Sequence, residues 1–111
     1  MSSKNFLTAS VTVIIPAYNA ENTIISALKS LFEQTIKPEK IIVVDDGSTD
    51  GTKQTVTDFA AENTEIEIEV ITQKNAGASA ARNNGIKRVN TAYTAFWTAM
   101  MHGILKSSKS R

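Results

Sequence analysis

The chain alternates short, unbroken β-branched runs with longer stretches whose apolar residues recur at helical spacing. Val11 to Ile15 is Val-Thr-Val-Ile-Ile, stopped by Pro16. Such a run without polar alternation predicts a strand covered on both faces, as in a parallel sheet. Ala17 to Ala20 forms a loop, and from Glu21 to Gln34 the residues Ile24, Ile25, Leu28, Leu31 and Phe32 predict an amphipathic helix. Ile36-Lys37-Pro38 breaks it. Ile41 to Val44 is a second buried-looking strand, ended by Asp45-Asp46-Gly47-Ser48.

Asp50 is a good N-cap for a helix from about Thr52 to Glu62, with Val56, Phe59 and Ala60 turned inward. Ile66, Ile68 and Val70 alternate with Glu65, Glu67 and Glu69, the period of a strand with one wet face and hence nearer an edge. After the turn Asn75-Ala76-Gly77, Ala78 to Val89 predicts a third helix, with Asn83-Asn84-Gly85 a soft spot inside it. Ala92 to Phe96 is a candidate fourth strand. Strands and helices in this order predict an α/β sandwich with a mostly parallel sheet and right-handed crossovers.

Composition narrows the chemistry. Among 111 residues, 12 Lys+Arg stand against 11 Asp+Glu, and the net charge of +1 excludes the basic field of most nucleic-acid binders. There is no cysteine, so disulfides, thiolate catalysis and Cys-ligated zinc are out, and His102 alone cannot make a multi-histidine metal site. No apolar run approaches the roughly 20 residues of a membrane span, and no signal-peptide core precedes the first strand, so a cytoplasmic location is expected.

In open α/β sheets ligands bind beyond the carboxyl ends of the strands. Three polar clusters fall there: Pro16 to Asn19, Asp45 to Ser48, and Asn75 to Arg82. Tyr18 can stack on a base, Asp45 or Asp46 can accept from a nucleobase or ribose, and Arg82 can neutralise a diphosphate or clamp a base carbonyl. Each residue also has an ordinary role in turns and solvated faces. Their joint placement at successive strand ends is what suggests a nucleoside diphosphate site. No G-x-G-x-x-G or Walker loop is present. A receiver-type phosphoacceptor reading fails because Ile71-Thr72-Gln73 supplies no aspartate at the next strand end.

Four segments, Val13 to Asn19, Ser30 to Thr35, Ile42 to Thr52 and Asn75 to Gly85, together resemble the family 2 glycosyltransferases of the GT-A fold, in order and at family spacing. The resemblance runs from about Val11 to Phe96. It implies the N-terminal half of a Rossmann-like three-layer α/β/α domain that binds a nucleotide-sugar, usually a UDP-sugar. Pro16, Ala17 and Tyr18 would line the nucleoside pocket. Asp46 would accept from the base with Asp45 beside it. Arg82 would contact base or diphosphate, with Gly77 and Ala78 allowing close approach. Sugar would pass to a hydroxyl of a glycan or lipid-linked acceptor by inverting displacement, with Mg²⁺ or Mn²⁺ offsetting charge on the leaving diphosphate. The resemblance also allows the intact enzyme to sit at a membrane surface.

The resemblance divides the chain into a tail at 1–10, the nucleotide-sugar-binding part at 11–96 and an atypical tail at 97–111. The family's acidic Leu-Asp-x-Asp-Asp segment should follow Phe96, but Trp97-Thr98-Ala99-Met100-Met101-His102-Gly103 contains no acid. Read one base earlier, the codons of these residues force Asp, Asp and Ala at the second, fifth and sixth places. They also permit the whole of Phe-Leu-Asp-Ser-Asp-Asp-Ala-Trp-His-Pro-Glu. A one-base frameshift at Phe96/Trp97 is therefore expected; a genuine short protein with a divergent terminal helix is the alternative. As written, the chain has no metal-binding acids and no catalytic residue, so it is expected to bind nucleotide weakly without transferring sugar. The other possibility is a non-catalytic nucleotide-binding or assembly module. A bare fourth-strand edge is expected to promote self-association.

Overall fold

The computed structural model describes residues 7–97 and the backbone of 106–109. The elements are β1 (Leu7–Ala17), α1 (Ile24–Phe32), β2 (Ile36–Asp45), α2 (Thr52–Glu62), β3 (Glu67–Thr72), α3 (Ala78–Ile86), β4 (Tyr93–Phe96) and β5 (Lys106–Lys109). They build one sheet in the order β3-β2-β1-β4-β5. β1 to β4 are mutually parallel, and β5 runs antiparallel to β4. Because β1 and β2 lie inside this sheet, their alternate residues serve two cores. Val13, Ile15, Ile41 and Val43 pack with Ile24, Leu28, Leu31, Val56 and Phe59 of α1 and α2. Ile14, Ile42 and Val44 pack with Ile71 and with Ala81 of α3. The unbroken apolar runs thus become a middle layer with helices on both faces, the expected α/β/α sandwich.

The edge position predicted for β3 holds. Its outer row is nevertheless partly engaged: Glu69 pairs with Lys40 at 2.7 Å and with Arg88. α3 packs against the sheet at Gly85, where an added Cβ would stand 2.8 Å from Ile14 Cγ2. The soft spot inside the helix is therefore a close-packing point. The last predicted turn of α3 is made by bonds three residues back, from Arg88 N–H to Gly85 O and from Val89 N–H to Ile86 O, so the regular helix stops at Ile86.

Several boundaries move. β1 begins at Leu7, across an irregularity between Ala9 and Thr12, so 7–10 belong to the sheet and not to a tail; residues 1–6 lie outside the described part. β2 begins at Ile36, because Pro38 sits beside that irregularity and before β3 pairing starts at Lys40, where its missing N–H costs nothing. Lys37, buried, donates through Nζ to the carbonyls of Phe32 and Gln34 and so closes the C-terminal end of α1. The expected bare edge of β4 is corrected: all four of its residues pair with β5, from Tyr93↔Lys109 to Phe96↔Lys106. The remainder of the expected tail, 98–105 and 110–111, lies outside the described residues.

Candidate functional site at the strand ends

The order β3-β2-β1-β4 reverses direction between β1 and β4, and in open α/β sheets of this kind ligands bind at the carboxyl ends of the strands. The loops after β1, β2 and β3 meet there and are laced together. Asp46 N–H donates to Ala17 O at 2.8 Å, and Gln73 N–H donates to Asp45 O at 2.9 Å. Asn19, held at φ 47°, donates its N–H to Ser48 Oγ at 2.9 Å and accepts at Oδ1 from Thr49 N–H at 2.8 Å. A short polar side chain tolerates this left-handed backbone, which explains an asparagine here. Glu21 accepts from Gly51 N–H at 3.0 Å, while Ala20 N–H donates to Thr52 Oγ1 at 2.8 Å. These ties hold residues 20–23 in turns, so α1 starts at Ile24 instead of Glu21. Asp50 caps α2 from one residue before the N-cap position, accepting from Thr52 N–H at 2.9 Å and from the Thr52 hydroxyl. That contact with Thr52, more than burial opposes it, holds the Asp50 carboxyl below its usual range.

Asp46 is the centre of the arrangement. Its side chain is only 5% exposed. Oδ1 accepts from Gln73 Nε2 at 2.8 Å and from Ala76 N–H at 2.7 Å; Oδ2 accepts from Gly77 N–H at 3.0 Å and from Asn75 Nδ2 at 3.2 Å. The Gln73 contact first, then the two backbone N–H groups, hold its carboxyl below the ordinary value against the opposing effect of burial. An ionised carboxylate has about four acceptor positions. Four donors of this chain already occupy that of Asp46. Asp46 thereby organises the loop that starts α3.

The other expected residues are placed as follows. Pro16 and Ala17 end β1, with Ala17 buried, and Tyr18 stands 51% exposed just beyond them. Asp45 is buried at the end of β2, and its Oδ1 accepts from Ser48 N–H at 3.1 Å. Gly77, at φ 100°, has nothing within 4 Å of where a Cβ would stand, so the backbone beside Ala78 is open to close approach. Arg82, half-buried one turn into α3, has no hydrogen-bond or ion-pair partner among the described residues. Gln73, Asn75 and Asn84 carry much of the site's geometry but were not singled out individually. Gln73 and Asn75 are polar amides next to a strand end, which is common in any turn, and Asn84 lies inside α3.

Trp97 follows β4 at the switch point. Its N–H donates to Ile14 O at 3.0 Å, extending the ladder, and its side chain is fully buried. The indole Nε1 has no hydrogen-bond partner among the described residues. A groove lies elsewhere, between α1 and α2 over the edge-to-face pair Phe32–Phe59. No three His, Cys, Asp or Glu side chains among the described residues come together as a metal site. Of the acids at the strand ends, Asp46 accepts from four donors, and Glu21 and Asp50 accept from neighbouring N–H groups. No helix among the described residues is long and apolar enough to cross a membrane.

Comparison with known proteins gives this geometry a family. The sequence model of Glycosyl transferase family 2 matches residues 12–99. Glycosyltransferase GlyA of Streptococcus pneumoniae is 42% identical over 86 residues, which make up 78% of this chain and 12% of that protein. Cholesterol galactosyltransferase of Borreliella burgdorferi is 36% identical over 87 residues, 78% of this chain and 24% of that protein. The mannosyltransferase PcManGT of Pyrobaculum calidifontis, solved with GDP-Man and Mn2+, shares the fold with a TM-score of 0.74 at 26% identity, over 81% of this chain and 27% of that one. S. aureus TarS 1-349, solved with UDP-GlcNAc, gives 0.71 at 29% identity, over 80% of this chain and 26% of that one. The chain therefore spans 12% to 27% of the length of these relatives. With the match running through all four parallel strands and the fold shared with GT-A structures, the chain belongs to glycosyl transferase family 2.

Proposed function

We infer that this chain forms the donor-binding part of a glycosyltransferase and holds the nucleoside diphosphate end of an activated sugar at the crevice beyond β1, β2 and β3. The observation that carries this reading is the convergence of three strand-end loops, locked by Asp46, around positions left uncommitted among the described residues: exposed Tyr18, open Gly77 and unpaired Arg82. Tyr18 supplies an aromatic face for the base, with Pro16 and Ala17 behind it. The remaining acceptor capacity of Asp45 serves base or ribose donors. Gly77 and Ala78 admit the diphosphate to the α3 N-terminus, where backbone N–H groups and the helix dipole favour an anion. Arg82 adds a charge that can bind it in bidentate fashion. Uridine is the favoured base, because the TarS structure holds UDP-GlcNAc. The guanosine donor of the mannosyltransferase makes GDP the informative control.

In the whole enzyme the acceptor oxygen would bond to the anomeric carbon from the face opposite the leaving group. The bond from that carbon to phosphate oxygen would break, and its electron pair would leave with the nucleoside diphosphate. The acceptor proton would need a base, and the acidic segment that the resemblance places after Phe96 is missing from Trp97 to Gly103. The reading is therefore nucleotide binding by this 111-residue chain without sugar transfer. Titrating UDP and GDP calorimetrically into wild type, Tyr18→Ala and Arg82→Ala, with Mn2+ or with chelator, tests it. Saturable UDP binding that weakens at least tenfold in both variants supports the site, and equal binding by all three contradicts it.

A further inference from the structure

The contacts that organise the candidate site continue past the loop into α3. Gln73 Oε1 accepts from Asn84 Nδ2 at 3.0 Å, while Gln73 Nε2 donates to Asp46 Oδ1 at 2.8 Å. The direction of this chain is dictated by its far end. An ionised carboxylate can only accept, so the amide NH₂ of Gln73 must face Asp46. The Gln73 carbonyl then faces α3, and the residue there must donate. Asn84 is that donor, two turns beyond the Gly77 N–H that Asp46 also holds.

We propose that Asn84 is a positioning residue of the nucleotide site: by donating to Gln73 it fixes which way the Gln73 amide points, and through Asp46 it sets the Ala76–Gly77 backbone at the start of α3. This rests on the nucleotide-binding reading above. The one side-chain hydrogen bond of Asn84 among the described residues is that to Gln73, so its influence on the loop passes through that side chain. Asn84→Asp is the informative change, being isosteric but acceptor-only. It sets oxygen against the Gln73 carbonyl, and turning the Gln73 amide to relieve this sets oxygen against Asp46. Either response loosens Ala76 and Gly77.

The test uses the full ¹⁵N-labelled chain in four forms: wild type, Asn84→Asp, Gln73→Met and the double variant. Amide resonances of Ala76 and Gly77 are read without nucleotide, and UDP affinity is read by titration. Asn84→Asp is expected to shift both amides and to weaken UDP by on the order of tenfold. In the Gln73→Met background the same change is expected to add nothing, because its route is gone. Unchanged amides and affinity in Asn84→Asp overturn the proposal, as does an undiminished effect in the Gln73→Met background. If wild type does not bind UDP while the amides still respond, the nucleotide reading fails and Asn84 merely holds a loop. If UDP binds and the amides do not respond, only the role of Asn84 falls.

Discussion

The amide of Gly77 donates to Asp46 Oδ2 across 3.0 Å, joining residues 31 positions apart and fastening the start of α3 to the end of β2. A buried charge with four protein donors is a rigid joint: the low local dielectric strengthens each bond and makes losing any of them costly. The rim of the sheet is thus ordered before any ligand arrives, which lowers the entropy lost on binding.

Asp46→Asn tests that joint. The change keeps the shape but removes the charge and turns an NH₂ group toward existing donors. A loss of about 2–4 kcal/mol is expected in urea unfolding, because hydrogen bonds to charged groups are worth about 1.5–3 kcal/mol each and one donor is left facing another.

The same residue sets an acid response. Its carboxyl is lowered from an unfolded value of 3.8 by Gln73 and the loop amides, so the unfolded chain binds the proton more readily. Its stabilisation is fully present above that value and is lost as pH falls through the lower folded one. Wild type should therefore lose stability more steeply than Asp46→Asn below about pH 4. Parallel slopes in urea midpoints measured from pH 5 to pH 2.5 would show that Asp46 is not held in this way.

Gly85→Ala carries a prediction of sign. Helix propensity alone favours alanine by about 1 kcal/mol. The new methyl, however, would sit 2.8 Å from Ile14 Cγ2 in a strand buried on both faces. Overpacking costs about 1–3 kcal/mol, so net destabilisation is expected. A thermal midpoint raised above wild type would mean that α3 is not packed this tightly.

Trp97 is fully buried, and its indole N–H has no partner among the described residues. Removing such a group recovers about 1–3 kcal/mol and offsets much of the volume lost in Trp97→Leu. That variant should remain within about 1 kcal/mol of wild type, against a loss of about 3–5 kcal/mol for Trp97→Ala. Equal losses would show that the indole has an acceptor. Leucine is also what the shifted reading frame places at this position. Sequencing the gene is expected to reveal that one added base after the Phe96 codon opens a frame encoding the acidic segment. A stop codon soon after in that frame would contradict this.

Much of the fold was legible because strands covered on both faces leave an unmistakable mark. Val13-Ile14-Ile15 and Ile41 to Val44 could be placed at the centre of a sheet by composition alone, and the alternation around Ile68 and Val70 placed β3 at its edge. The start of β2 at Ile36 was hidden because Pro38 looks like a terminator unless the neighbouring irregularity at Ala9 is known. β5 was hidden because Lys106-Ser107-Ser108-Lys109 has no apolar face to betray a strand. At the site, Tyr18, Gly77 and Arg82 were visible as residue types at strand ends. The occupied state of Asp46 was not, since its four donors come from residues 27 to 31 positions away and exist only once β3 lies beside β2.

The most direct measurement is a crystal structure of the chain grown with millimolar UDP. Density for the base against Tyr18, with the diphosphate at the Gly77–Ala78 backbone within reach of the Arg82 guanidinium, is the predicted result. Nucleotide bound in the groove between α1 and α2, or an empty rim at a UDP concentration that saturates the chain in solution, would contradict the account.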